Sequence, residues 1–184
     1  FLGGYLTEKL TPRSPTAVAW VPAVGLLIAV PAYIGAFYSS DMRMVFGLWA
    51  IAAVAHYAYL GAQYNIGQGV VTNRSRATAI AILLIMVSII GNGIGPYFVG
   101  FFSDFFMGSA LSASEFATEL SPSICKARDS VLTDAQQEVC NLANSTGLKQ
   151  SISLTVCWFL VASGCFFMSA RTLKRDFVAK LERA

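Results

Sequence analysis

The sequence predicts an all-α membrane protein in which four complete transmembrane helices follow the end of a fifth. Two properties of the whole chain favour this class: of its 184 residues 55% are hydrophobic, and only 12% are charged. Soluble globular domains carry about 25% charged residues, so this balance indicates an integral membrane protein. The third observation is the segment 77–103, which has no charged residue and exceeds the roughly 20 residues that cross a bilayer core.

Residues 1–16 are predicted to form the end of one helix and a loop. The charged pair Glu8 and Lys9 and the nearby Pro12 end a short apolar run. The chain begins at Phe1, with neither a Met nor the pattern of a signal peptide, so we expect it to be a fragment of a longer protein.

The first two complete spans are expected over residues 17–38 and 44–70. The first is apolar, with Trp20 and Tyr38 near its ends, where aromatic side chains favour the membrane interface. The connection 39–43 is so short that the second span must lie antiparallel beside the first.

The second span carries an unusual number of polar side chains. At helical spacing His56, Tyr59 and Gln63 share one face, and Tyr57, Gly61, Tyr64 and Gln68 share an adjacent one. Polar groups are costly against lipid, so both faces should be buried in protein or line water. We expect His56, Tyr59 and Gln63, together with Asn92 of the next span, to line a central cavity. The alternative is that His56 is a hydrogen-bonded packing residue.

The third span is predicted over residues 76–102 and contains an unusual group of small residues near its far end. Gly91, Gly95 and Pro96 would weaken a soluble helix but allow membrane helices to approach closely or to bend. We interpret these three as a hinge or a packing site. The alternative is a glycine-rich helix that faces lipid.

Residues 104–150 form the long polar segment of the chain. Two potential capping boxes, Ser112 with Glu115 and Thr133 with Gln136, predict short surface helices there. The fourth span follows at 151–170, with Cys157 and Cys165 as buried thiols, and the basic tail 171–184 is expected to lie as an amphipathic helix on the membrane surface.

The distribution of basic residues predicts which side of the membrane each loop occupies. Short segments rich in Lys and Arg favour the cytoplasm, which places the N-terminal loop, residues 74–76 and the C-terminus inside. The segment 104–150 then lies outside, where Cys125 and Cys140 are a possible disulfide and Asn144 is a potential glycosylation acceptor. The expected membrane is a plasma membrane or a bacterial inner membrane.

Two motifs stand out, GYLTEKLTPR at residues 4–13 and the pattern from Arg76 to Asp104. They resemble the C-terminal half of a major facilitator superfamily (MFS) transporter, most closely a Spinster-like or related organic-anion transporter. The first resembles the Gly-x-Leu-x-Asp-Arg-x-Gly-Arg-Arg loop of that superfamily, and the second is similar to the eleventh helix of Spinster-like carriers. The loop departs from the pattern at Glu8, Lys9, Thr11 and Pro12. The resemblance implies that the spans are helices 9–12 of a C-terminal six-helix half, preceded by the end of helix 8.

The same resemblance implies a gating loop made by Gly4, Glu8, Lys9 and Arg13. In it Glu8 would approach a helix amino end, where a carboxylate is favoured, and Arg13 would join a cytoplasmic charge network. The partner for transport would be the N-terminal half of the same carrier, which would lie outside this chain.

The sequence favours transport over catalysis. It contains no metal-ligand cluster, no nucleophile-and-base set and no phosphate-binding loop, so we expect no enzyme, no cofactor, no metal and no nucleic-acid partner. A polar cavity with aromatic walls and few charges suits an organic anion, a sugar acid or a lysolipid-like amphiphile, moved by a symporter or antiporter coupled to protons or Na⁺. The alternative is a four-span adaptor resembling a tetraspanin, although the chain lacks that family's Cys-Cys-Gly motif.

Overall fold

A computed structural model describes residues 16–127 and 132–181, with side chains to residue 173. Within these ranges all regular secondary structure is helical. The α-helices in chain order are α1 (Ala17–Tyr38), α2 (Met42–Gly69), α3 (Arg76–Val87), α4 (Gly95–Ser112), α5 (Pro122–Lys126) and α6 (Asp134–Leu181). The predicted end of a helix and gating loop in residues 1–15 lie outside the described residues.

Helices α1 and α2 form an antiparallel pair, as their short connection predicted. Helix α1 has the bounds expected for the first span, and α2 begins two residues earlier and ends one residue earlier than expected. The side chain of Asp41 accepts a hydrogen bond from the backbone N–H of Arg43 at 3.0 Å, which satisfies one of the free donors at the start of α2. The connection therefore serves as a helix cap as well as a turn.

The third span is one continuous helical segment that changes its winding. A 3₁₀ turn at Asn73–Ser75 leads into α3, which is followed by π-helical turns at Ser88–Ile94 and then by α4. The helix continues ten residues beyond the predicted end at residue 102. Pro96 has no N–H to donate to the carbonyl four residues earlier, so the regular hydrogen-bond ladder is interrupted close to the π-helical turns.

The fourth long helix differs most from the prediction. Helix α6 begins at Asp134, well before the apolar run at residue 151, and it continues through residue 170 to Leu181 as one helix, without a separate surface helix in the tail. The Thr133 and Gln136 capping box forms as predicted, with reciprocal hydrogen bonds of 3.1 and 3.4 Å, but it starts α6. The long segment 104–150 is thereby reduced to a connection containing α5.

The other predicted capping box does not form. The Ser112 hydroxyl donates instead to the carbonyl of Ser109 at the end of α4. Helix α5 is capped by Ser121, whose hydroxyl oxygen accepts a hydrogen bond from the N–H of Ile124. A Ser followed by an acid three residues later marks a helix start only where the preceding chain is not already helical.

The described residues divide into two units, each with its own buried core. The first unit contains the described residues up to Ser88 and from Val156, and the second contains those between Ile89 and Thr155. The core of the first is formed by small and aliphatic side chains: Val18, Ala19, Ala62, Ala170 and Leu173. The core of the second is formed by Met107, Leu111, Leu120, Cys140 and Ala143.

The outward surface of the long helices is apolar. Four described helical segments are long and apolar enough to cross a membrane. Helix α3 buries none of its residues, and its Ile82, Ile85 and Met86 are more than half exposed. So much apolar surface is stable against lipid or other transmembrane helices but not against water. The chain is therefore an integral membrane protein.

Candidate functional site

His56, in the middle of α2, is a polar residue of the first unit with several aromatic neighbours. Its Nδ1 atom lies 3.4 Å from the hydroxyl oxygen of Tyr33 on α1, so the two side chains share a hydrogen bond. The Phe159 ring of α6 lies 4.5 Å from the imidazole, measured between ring centroids. His56 thus contacts two neighbouring helices at once.

Two tyrosines of α2 itself complete this group. The rings of Tyr57 and Tyr59 stack on the imidazole, with centroid distances of 5.3 and 5.4 Å. We refer to Tyr33, His56, Tyr57, Tyr59 and Phe159 as the His56 cluster. His56 and Tyr59 are half-buried, whereas Tyr57 is 61% exposed. The contacts are those of a helix-packing site, and the exposed part of the cluster leaves surface for a further partner.

The other two residues predicted for a central cavity lie in different parts of the chain. Gln63 is half-buried on α2, two turns beyond His56. Asn92 is exposed within the π-helical turns and belongs to the second unit. A shared cavity formed by His56, Tyr59, Gln63 and Asn92 remains a prediction.

The glycines predicted to make close contacts are open to their surroundings. A Cβ atom built at Gly91 or Gly95 has no described atom within 4 Å other than its own helix and immediate neighbours. Pro96 is likewise exposed. Close packing of these residues would therefore require a partner beyond the described residues. The π-helical turns at 88–94 include Gly91 and directly precede Gly95 and Pro96, and a hinge there remains a prediction.

Two other glycines make the close contacts, and sequence reasoning missed both. A Cβ atom at Gly25 would lie 2.5 Å from the carbonyl oxygen of Ala55, so α1 and α2 touch backbone to backbone. A Cβ atom at Gly147 of α6 would lie 2.6 Å from the carbonyl oxygen of Ser103 and 2.9 Å from the amide nitrogen of Met107. Only glycine allows approaches this close.

Buried serines add polar links from α6 to α1 and from α6 to α4. The Ser163 hydroxyl of α6 donates to the Ala23 carbonyl of α1 at 2.8 Å, and the Ser151 hydroxyl donates to the Val99 carbonyl of α4 at 2.7 Å. Each buried hydroxyl is satisfied by a backbone carbonyl, as is required where water is absent. For Ser163 the sequence signal is a lone Ser within an apolar run, whereas Ser151 lies at the start of that run, close to Ser153.

Comparison with solved structures relates this arrangement to a transporter family. The chain matches a bacterial homologue of the human lysosomal transporter Spinster, in an inward-facing and occupied conformation, with a TM-score of 0.81 and 45% identity over 96% of this chain. The inward-facing and unoccupied conformation matches with a TM-score of 0.78 and 47% identity, also over 96% of this chain. Over nearly its whole length the chain is therefore similar to part of a Spinster homologue of the major facilitator superfamily.

A sequence relative supports the same family. The Spinster-like chain is 30% identical to an MFS-type efflux pump of Mycolicibacterium smegmatis over 101 residues. These aligned residues are 55% of this chain. No protein-family model matches the chain. The chain spans 38% of the length of the occupied Spinster homologue and 23% of the length of the efflux pump. It therefore corresponds to part of each of these proteins.

The connection after α4 in the Spinster-like chain is held by covalent and ionic links. Cys125 of α5 and Cys140 of α6 form the disulfide that the sequence suggested. Next to it, Lys126 forms an ion pair with Asp104 of α4, and the Gln136 amide donates to a Glu119 carboxylate oxygen at 2.9 Å. These contacts join three helices of the second unit.

The other two cysteines of the chain are not bonded to each other. Cys157 and Cys165 are free thiols on the exposed surface of α6, so their description as buried thiols was wrong. The apolar run around them predicts burial in protein, but apolar residues of a membrane helix can also face lipid. No group of His, Cys, Asp or Glu able to hold a metal ion occurs among the residues that the structure describes.

Proposed function

We propose that this chain is part of a secondary active transporter that moves a small organic solute by alternating access. The observation that carries this proposal is the 45% identity to a Spinster homologue over 96% of the chain. Because the chain spans 38% of that protein, the proposed path for the solute also requires helices outside it. In this proposal the chain is the C-terminal part, and its partner is the N-terminal half of the same carrier.

The solute class follows from the side chains of α2. His56, Tyr59 and Gln63, with Asn92 of the third span, offer neutral donors, acceptors and aromatic faces, and no carboxylate or ammonium group lies among them. Such a wall suits an organic anion, a sugar acid or a lysolipid-like amphiphile better than an inorganic ion. The coupling ion is proposed to be a proton or Na⁺.

His56 has a double role in this proposal. Its ring is fixed by Tyr33 and Phe159, which orients the polar face of α2. The sequence of 184 residues contains one histidine, His56, and histidine is the side chain whose charge changes most readily near neutral pH. A His56→Gln change would keep a hydrogen-bonding side chain but remove the ionisable group.

Uptake into proteoliposomes tests the proposal directly. The full-length protein would be reconstituted and offered sugar acids, lysolipids and aromatic acids, each with and without a pH gradient and an Na⁺ gradient. At least one solute is expected to accumulate against its own concentration gradient when a pH or Na⁺ gradient is imposed. Passive equilibration of every solute in the panel, at the rate of protein-free vesicles, would contradict the proposal.

A hinge in the third span is part of the proposed mechanism. Gly91, Gly95 and Pro96 flank or lie within the stretch where helical winding changes, so bending there needs little rearrangement of packed side chains. Gly95→Leu should abolish uptake while leaving the purified protein folded. The matched control is Gly47→Leu on α2, which also has open space around it and should transport normally.

The proposal includes a cytoplasmic gate and a defined orientation. By the resemblance given above, Gly4, Glu8, Lys9 and Arg13 would form a gating loop on the cytoplasmic side, which is also the proposed side of the C-terminus. The four-span adaptor is not favoured, because the matches are to transporters. The same matches suggest a protein without enzymatic activity.

A further inference from the structure

We propose that one end of the first unit binds the phosphate groups of anionic phospholipids. This surface, the basic end, consists of Arg74, Arg76 and Arg171 together with the aromatic pair Trp20 and Phe167. The proposal rests on the placement of the chain in a membrane, and it does not depend on the transport activity proposed above.

Packing in the first unit brings the three arginines to the same end. Val18 at the start of α1, Ala62 near the end of α2 and Ala170 of α6 belong to one buried cluster. The start of α1, the end of α2 and this stretch of α6 are therefore neighbours. Arg171 directly follows Ala170 in the sequence, and it is exposed.

The other two arginines reach this end through the turn after α2. Ile66 packs against the same buried cluster, and a Cβ atom at Gly67 would lie 3.5 Å from the side chains of Ile80 and Leu83. The first turns of α3 are thus held against the end of α2. Arg76 begins α3 and Arg74 lies in the 3₁₀ turn before it, and both side chains are exposed.

Acidic residues are few near the basic end. Where side chains are described, in residues 16–88 and 156–173 of the first unit, the acidic residue is Asp41, and it caps the opposite end of α2. Further along α6, Asp176 follows Lys174 and Arg175, so the sequence there stays net positive. Among the described residues, no ion pair involves Arg74, Arg76 or Arg171. Three guanidinium groups in one region, with a net positive sequence after them, therefore attract anions.

An aromatic pair marks the depth at which this end meets the membrane surface. Trp20 in the first turns of α1 is 52% exposed, and its ring packs edge-to-face on Phe167 with centroids 4.8 Å apart. Phe167 precedes Arg171 by four residues, so the two lie one helical turn apart on the same face of α6. Exposed tryptophans favour the boundary between acyl chains and headgroups.

The order of groups at this end matches that of a phospholipid. An apolar helix surface is followed by an amphipathic indole and then by guanidinium groups, as acyl chains are followed by glycerol and then phosphate. Guanidinium binds phosphate through paired hydrogen bonds and is weakly hydrated, which suits the interface. A free phosphate would gain nothing from the aromatic pair, so the structure favours a lipid.

Lipid retention by the full-length protein in detergent tests the proposal. Native mass spectrometry would compare dioleoyl phosphatidylglycerol, which is anionic, with dioleoyl phosphatidylcholine, which is zwitterionic. The wild type should prefer the anionic lipid, and each arginine removed should weaken that preference by about fivefold, the effect of one basic residue near an anionic surface. The variants are Arg171→Gln alone and the triple change Arg74→Gln, Arg76→Gln and Arg171→Gln.

Two controls separate this site from general electrostatics and from unfolding. Arg43→Gln removes an exposed arginine at the opposite end of the unit and should leave the preference unchanged. Replacing the three arginines by Lys keeps the charges but removes the paired hydrogen bonds, so it should preserve only part of the preference. Every variant should melt within a few degrees of the wild type. If the triple Gln variant does not fold, Arg171→Gln alone decides the question.

Three results would overturn the proposal. The first is an unchanged lipid preference in Arg171→Gln and in the folded triple variant. The second is an equal loss in Arg43→Gln. The third is displacement of phosphatidylglycerol by inorganic phosphate at equal concentration, which would indicate a site for a free anion.

Discussion

At the scale of single residues, the position of a glycine on its helix decides what it does. Gly25 and Gly147 face a neighbouring backbone at distances where no Cβ atom fits, while Gly91 and Gly95 face open space. Gly25, Gly91 and Gly95 lie in apolar runs and Gly147 lies in a polar one, so the sequence surroundings do not separate the two pairs. The rotation of each helix about its axis separates them, and that rotation is fixed by packing across the whole unit.

Gly25→Ala should destabilise the protein. The added methyl would lie 2.5 Å from the Ala55 carbonyl oxygen, and a backbone atom cannot move aside as a flexible side chain can. We expect a loss of about 1–3 kcal/mol, the usual cost of overpacking, seen as a lower melting temperature in detergent. Gly47→Ala is the control, because a Cβ atom there meets nothing within 4 Å and helix propensity favours alanine. Equal melting temperatures for the two variants would contradict the close contact.

The hydrogen bond between Tyr33 and His56 can be measured by a double-mutant cycle. Tyr33→Phe removes only the hydroxyl, and His56→Phe removes the Nδ1 partner while keeping an aromatic ring against Phe159. We expect a coupling free energy of about 0.5–1.5 kcal/mol, the usual net worth of such a bond. A coupling near zero, with both single changes also neutral, would show that the contact at 3.4 Å contributes nothing to stability.

At the scale of elements, hydropathy indicates where lipid begins but not where a helix begins. The apolar run of α1 has the same bounds as its helix. Thr16 precedes the first residue of both, and the extended backbone at Ser39 follows the last residue of both. Helix α6 starts 17 residues before the predicted span at 151, since Gln136, Gln137 and Glu138 are good helix formers and a helix propagates once capped. The sequence predicted the cap at Thr133. It did not predict that the helix starting there continues without a break into the last span.

The disulfide between Cys125 and Cys140 should stabilise the connection between α4 and α6. It closes a loop with a sequence separation of 15 residues, for which the loss of chain entropy in the unfolded state corresponds to about 3 kcal/mol. Reduction, or the paired change Cys125→Ser and Cys140→Ser, should therefore lower the melting temperature. The double change Cys157→Ser and Cys165→Ser should not, because both thiols are free. Peptide mapping that recovers all four cysteines as free thiols from the unreduced protein would contradict this bond.

At the scale of the whole molecule, the sequence predicted four membrane spans and the Spinster-like resemblance, and the comparisons confirmed that resemblance. Composition and two short motifs were sufficient because a bilayer imposes helix length and apolarity on every span. The candidate cavity could not be derived in the same way. Whether the His56 cluster or Asn92 faces a solute depends on helices outside this chain, which spans 38% of the Spinster homologue.

The proposed orientation of the third span can be tested by labelling from outside. Asn73 is the first residue of the helical segment Asn73–Ser112, which is long and apolar enough to cross the membrane once, and Ser114 lies two residues beyond its end. In a full-length background with Cys157→Ser and Cys165→Ser, a single cysteine at position 114 should react with an impermeant maleimide on intact cells. One at position 73 should react only after the membrane is opened, because Arg74 and Arg76 favour the cytoplasm. Labelling of position 73 on intact cells, with position 114 protected, would reverse the proposed orientation and put the disulfide-linked connection on the reducing side of the membrane.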